Sequence, residues 1–154
     1  MKKLLFIILL IIVCYGAAAC TGETDIPWEL GEVADYSFAA SLEFSVIDGT
    51  LTNTGAELLI KNNSDMTYEL AASDDYRMAV FTDGAWRMIN VFWDVTAESY
   101  TLLPNESITF SIDFYEHFGE LPMGKYRIIK EAALYGEAEP EREASYFICD
   151  FEIG

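Results

Sequence analysis

The chain has 154 residues, with 26 acidic against 9 basic side chains, a formal net charge of −17, one histidine and three cysteines. That balance argues against nucleic acid as a partner, since phosphate binding draws its affinity from clustered Lys and Arg, and 52% apolar with 14% aromatic residues argues against a disordered acidic tail. The length suits one folded domain.

Lys2 and Lys3 form a positive start, Leu4 to Val13 is an unbroken apolar run, and Ala17, Ala18 and Ala19 lead into Cys20. This order reads as an export signal over residues 1–19, and the run is shorter than the ~20 apolar residues a spanning helix needs. It resembles the lipobox of bacterial lipoproteins, in which a small residue precedes a cysteine that is lipidated and becomes the mature N-terminus. Ala17 stands where that family usually has leucine. Cys14 is the weaker candidate, because Val13 before it is bulky and β-branched; plain secretion by cleavage after Ala19 is the alternative to lipidation. A diacylated Cys20 would anchor the chain firmly, at ~0.8 kcal/mol for each buried methylene. The expected address is therefore the outer face of the bacterial cell membrane.

Loss of residues 1–19 removes two lysines and no acid, so the mature surface is more acidic still and is repelled by anionic headgroups. Residues 20–41 carry Glu23, Asp25, Glu29, Glu32 and Asp35 and read as an acidic tether, with Trp28 and Leu30 available to pin part of it to the body. With Cys14 removed and Cys20 lipidated, Cys149 has no intramolecular partner. It shares a strand face with Phe147, Phe151 and Ile153, as a core thiol would.

Residues 42–154 read as an all-β domain of about seven to nine strands. Apolar residues recur at period two or in short runs, bounded by Gly, Asn, Asp and Pro, and no window holds a 3.6 period. Leu42 to Val46 alternates and ends in a turn at Asp48-Gly49. Ala56 to Lys61 follows, with Ala56, Leu58 and Ile60 inward, and stops at Asn62-Asn63-Ser64-Asp65. Met66 to Leu70 comes next. Tyr76 to Phe81 and Ala85 to Asn90 flank Thr82-Asp83-Gly84, the strongest hairpin signal, because Gly84 accepts a positive φ. A turn at Leu103-Pro104-Asn105-Glu106 precedes Ile108 to Phe114. One helical turn, Phe114 to Phe118 closed by Gly119, links to Lys125–Ala133, and Ala144–Ile153 closes the domain. Gly136 to Glu143 is expected as a solvated acidic loop.

The order Leu58-Leu59-Ile60-Lys61-Asn62-Asn63-Ser64-Asp65, Asp83-Gly84-Ala85-Trp86, Leu103-Pro104-Asn105-Glu106-Ser107 and Leu121-Pro122-Met123-Gly124-Lys125-Tyr126-Arg127-Ile128 resembles the bacterial immunoglobulin-like domain of small Gram-positive lipoproteins and surface proteins. Asn105 stands where that family usually has glycine in a Pro-Gly-Glu turn, and asparagine also visits the left-handed region. The layout is similar to that of the intracellular proteinase inhibitor family. The resemblance implies an antiparallel immunoglobulin-like β-sandwich. It places Tyr126, just after Gly124, for a tyrosine corner, puts Ile128 where antibody domains carry their second cysteine, and makes Trp86 a candidate core tryptophan.

Catalytic groups are sparse. His117 is expected on an exposed turn beside Glu116 and Glu120, solvated rather than pressed into a dyad. One histidine and one free cysteine do not make a zinc site. The carboxylates Asp48, Asp65, Asp74 and Asp75 leave room for weak calcium binding, without an EF-hand pattern. No cofactor is implied. The favoured function is a non-enzymatic surface lipoprotein whose sandwich binds a partner; the alternative is a proteinase inhibitor-like regulator on the same fold, and an enzyme is the third reading. Tyr68, Phe92, Trp93 and Tyr100 are candidates for a contact patch, against a packing role for each.

Overall fold

The computed structural model describes residues 26–34, 36, 41–135 and 145–154. The export signal, Cys14, Cys20, the first part of the tether and the Gly136–Glu143 loop lie outside the described residues. In chain order the strands are β1 (Leu30–Val33), β2 (Leu42–Val46), β3 (Gly55–Asn62), β4 (Tyr68–Ala71), β5 (Arg77–Thr82), β6 (Ala85–Ile89), β7 (Ser99–Leu102), β8 (Ser107–Asp113), β9 (Gly124–Leu134) and β10 (Ser145–Ile153), with the single turn of helix α1 (Phe114–Phe118) after β8. All pairings are antiparallel.

Two sheets form a sandwich. The smaller is β2-β3-β8 and the larger runs β1-β6-β5-β9-β4-β7, with β10 added to β9. Strand β9 is long enough to serve three neighbours. β10 pairs with it from Gly124 to Ala132, while the opposite edge takes β5 along Tyr126–Ile129 and β4 along Ala132–Leu134. The expected strands are present with ends displaced by one or two residues. β1 and β7 are additional, and they raise the expected seven to nine to ten among the described residues. Both are four-residue strands at the two ends of the larger sheet, where a single neighbour holds them and no alternation is required.

The core follows from period-two burial. In β3, Ala56, Leu58, Ile60 and Asn62 are buried while Glu57 and Lys61 are exposed. Leu58 and Ile60 share one cluster with Met78, Ile128 and Phe147 of the facing sheet. Aromatic pairs tie the layers: Phe44 meets Phe147 edge-on at 5.0 Å, and Phe114 stacks on Phe151 at 5.3 Å, contacts that add ~0.5–1.5 kcal/mol each beyond area burial. Asp113 caps α1 by accepting from Glu116 N, and Gly119 ends it.

Part of the segment expected as a tether is pinned to the body. β1 pairs with β6, Ile26 and Trp28 pack on the main core, and Trp28 Nε1 donates to Phe118 O at 3.1 Å. Residues 26–34 are therefore part of the body.

Trp86 packs on a smaller cluster outside the main core. Asp83 and Gly84 have φ of 51° and 75°, a two-residue turn that fixes Thr82 opposite Ala85 and Phe81 opposite Trp86. That register turns the indole to the outer face of the larger sheet with Phe81. There it is half-buried against a small cluster around Ala79 and Ile129, with the Arg127 guanidinium 4.2 Å from its ring centre. The indoles that pack against the main core are Trp28, edge-on to Tyr126 at 6.3 Å, and Trp93.

Candidate functional site

The site is built outward from an inward-facing lysine. Alternation along β9 sends Tyr126, Ile128, Lys130 and Ala132 to the same side, and Lys130 is buried there. Its Nζ donates to the carbonyl oxygens of Ala72 and Asp75, both at 2.6 Å, and sits 5.4 Å from the ring centre of Phe110. Burial pushes its pKa down from 10.5 to about 8, with Asp75 and then Asp74 opposing. Two charge-assisted hydrogen bonds to carbonyls hold the β4–β5 loop, residues 72–75, against the sheet.

That loop positions the segment after β6. The Asp74 carbonyl accepts from Trp93 Nε1 at 2.9 Å, and its carboxylate accepts from Thr96 N and Oγ1, each at 3.1 Å. At the near end, Asn90 N donates to Glu29 O. Between these anchors Phe92 is 91% exposed. Beside it runs a groove of 440 Å³ whose walls include Tyr76, Met88, Ile89, Val91, Trp93 and Phe118.

Trp93 is fixed from below as well. The His117 imidazole lies flat on its indole, with ring centres 4.2 Å apart and planes 5° from parallel, and Tyr76 and Phe118 lie 5.2 and 5.5 Å away. His117 is therefore half-buried in an aromatic stack, not solvated as expected, because α1 turns it toward the Asn90–Glu98 segment. Tyr76 is buried with its hydroxyl pKa raised, first by burial and then by Asp113, Glu116 and Asp74.

The remaining sequence candidates take their places elsewhere. Tyr126 is fully buried and its hydroxyl donates to Pro122 O at 2.8 Å, four residues upstream; Gly124 lies against its ring. Ile128 is buried opposite Cys149 of β10. Burial pushes the Cys149 thiol up to about 11, partly offset by a hydrogen bond from the Val46 backbone, and a thiol held protonated is a poor nucleophile. The suggested aromatic patch is not one surface. Phe92 and Trp93 share the groove, Tyr100 borders a different cavity, and Tyr68 is a core residue whose hydroxyl meets Ser41 Oγ at 2.6 Å. Among the described residues no three His, Cys, Asp or Glu side chains come together as a metal-ligand set.

Residues 39–146 match the model of a bacterial Ig-like domain. The chain belongs to that family. The matched range takes in strands β2 to β9 of the Ig-like domain, and the described body extends beyond it through Trp28 and β1 on one side and nearly all of β10 on the other. Ig-like domains of this kind are typically non-catalytic. A search of curated proteins finds no match. Among solved structures, a protein from Archaeoglobus fulgidus aligns over 81% of this chain and 96% of its own, at 12% identity and a TM-score of 0.32.

Lys130 and the 72–75 loop are what sequence reasoning missed in this Ig-like domain. Placed in the alternation of Tyr126, Ile128 and Ala132, the lysine signalled an inward charge that must find carbonyl partners.

Proposed function

We propose that this chain is a non-enzymatic surface lipoprotein, exported to the outer face of the bacterial cell membrane and anchored through Cys20, whose Ig-like domain binds a protein partner. The observation that carries the binding part is Phe92, 91% exposed on a segment pinned at Asn90, Trp93 and Thr96. A large apolar side chain held out on a braced segment beside a groove is the form of an interface anchor, because little conformational freedom is lost on binding. The anchor rests on the signal-like order of residues 1–20. Palmitate-analogue labelling of whole cells should mark the native chain and not Cys20→Ala. A photo-crosslinker at position 92 should capture one partner that Cys20→Ala, released from the membrane, captures less. Absent labelling removes the anchor; capture equal to that from a crosslinker at Lys61, on the opposite sheet, removes the groove.

The same braced segment supports a second reading, a proteinase inhibitor-like regulator, in which Phe92 enters a protease specificity pocket. Slowing of a chymotrypsin-like protease at stoichiometric ratio, lost in Phe92→Asp, would favour it over the first.

A further inference from the structure

Beside the Trp93–His117 stack lies a second, smaller cavity of 150 Å³, whose lining includes Ser73, Asp74, Tyr76, Asp113, Glu116 and His117. Tyr76 is only 5% exposed, and its hydroxyl is a buried side-chain atom without a hydrogen-bond partner among the described residues. Buried hydroxyls are almost always paired, so an orphan needs a cause. This one belongs to a ring fixed on three sides by Trp93, His117 and Phe118. The groups that act on it most after burial are Asp113, Glu116 and Asp74, three carboxylates of the same cavity wall.

Asp74 acts on the buried Lys130 ammonium, whereas no ion pair among the described residues involves Asp113 or Glu116. Asp113 accepts from Glu116 N and Asp74 from Thr96, which leaves lone pairs on both. The salt bridge found among the described residues, Arg127–Asp150, lies on the far face of the larger sheet. The wall is therefore rich in acceptors and negative charge, and it is backed by aromatic rings. Carboxylates that do not converge as a metal-ligand set can still each accept one N–H of an ammonium, whose donors point in different directions, while the alkyl stem and charge are favoured by the rings.

We propose that this cavity binds the alkylammonium of a lysine side chain from a protein partner, with Glu116 and Asp113 facing the charge and the Tyr76 hydroxyl accepting one N–H. This deepens the reading of the groove as a binding face and rests on it for the partner, which would place an apolar side chain against Phe92 and a lysine in the cavity. A small ligand probes the cavity alone.

The test is titration of the full chain in detergent micelles with N-acetyl-lysine methylamide, followed by the Trp93 indole N–H resonance. The norleucine analogue, cadaverine and calcium chloride serve as separate arms. Saturable shifts with the lysine amide and none with the norleucine amide are expected. Affinity should fall about tenfold in Glu116→Gln, which removes a charge-assisted partner, and measurably in Tyr76→Phe, which keeps the ring and its packing. Binding unchanged in both variants overturns the inference, as do equal shifts by the norleucine amide, by calcium, or by cadaverine without the lysine amide. If the lysine amide binds as described but crosslinking through position 92 is unselective, the cavity stands and the groove does not.

Discussion

The ammonium of Lys130 donates to the carbonyl oxygen of Asp75 at 2.6 Å, in the buried space between the two sheets. Through Ala72, Asp75 and then Asp74, that one side chain sets the loop on which Trp93 and Thr96 are hung.

Its titration gives a signed pH dependence. With a folded pKa of about 8 against 10.5, burial of the charged form opposes folding at every pH below about 8. Between the two values the folded chain has shed a proton that the unfolded chain still binds, so stability rises with pH. Lys130→Met removes this contribution and leaves the other titrating groups in place. The native chain should gain on K130M by roughly 3 kcal/mol from neutral pH to the top of that window, at ~1.4 kcal/mol per pKa unit. Urea denaturation of both chains across this range measures it, and a constant difference would refute it.

Asn62 is a second buried polar hub. Its Nδ2 donates to Met66 O at 2.7 Å and Leu103 O at 3.0 Å, and its Oδ1 accepts from Ser64 N and Oγ. Asn62→Leu takes the donor from these part-buried carbonyls and from the buried Leu102 O, at ~1–3 kcal/mol for each group left unpaired. A loss of at least ~3 kcal/mol is expected, with the denaturation slope unchanged. A loss near zero would mean that water replaces the amide.

Tyr126→Phe removes the hydroxyl that donates to Pro122 O and keeps the ring against Phe151 at 5.6 Å. The expected cost is about 1–2 kcal/mol, the worth of one hydrogen bond whose acceptor is left behind. The same change should abolish part of the alkaline titration, because burial holds this phenol up to about 12. An equally stable Y126F would leave the tyrosine corner without an energetic role.

Cys149 should resist thiol reagents. Its pKa is raised from 9.0 to about 11 by burial, so in that interval the folded chain binds the proton that the unfolded chain has lost, and stability falls with rising pH. With Cys14 and Cys20 replaced by serine, labelling at mildly alkaline pH should require unfolding and follow the urea transition. Rapid stoichiometric labelling of the native chain would place the thiol at the surface.

Phe92→Ser should leave stability within ~0.5 kcal/mol of the native chain, since an exposed side chain has little packing to lose. Thermal melting checks this. A large loss would show that Phe92 packs in the fold and cannot serve as a free anchor.

The local rules of strand and turn were sufficient for most of this fold. Alternation fixed which of Ala56, Leu58 and Ile60 face inward, the demand for positive φ fixed the Asp83-Gly84 hairpin, and Phe114 to Phe118, too short for more than one turn and closed by Gly119, fixed the helical turn. These are properties of neighbours along the chain, and a sequence states them directly. Short edge strands escaped because β1 and β7 each need only one hydrogen-bonded neighbour and carry no two-sided pattern. The outward turn of Trp86, the pairing of Lys130 with the 72–75 loop, the stacking of His117 on Trp93 and the orphan hydroxyl of Tyr76 are different in kind. Each depends on which distant backbone or ring a side chain meets once two sheets are laid face to face, and separations such as 58 residues between Lys130 and Ala72 carry no local signature. Local pattern was enough for the strands and their turns; where charge is buried and which aromatic stands in solvent were settled only when the two layers closed, because desolvation and hydrogen-bond pairing depend on partners far away along the chain.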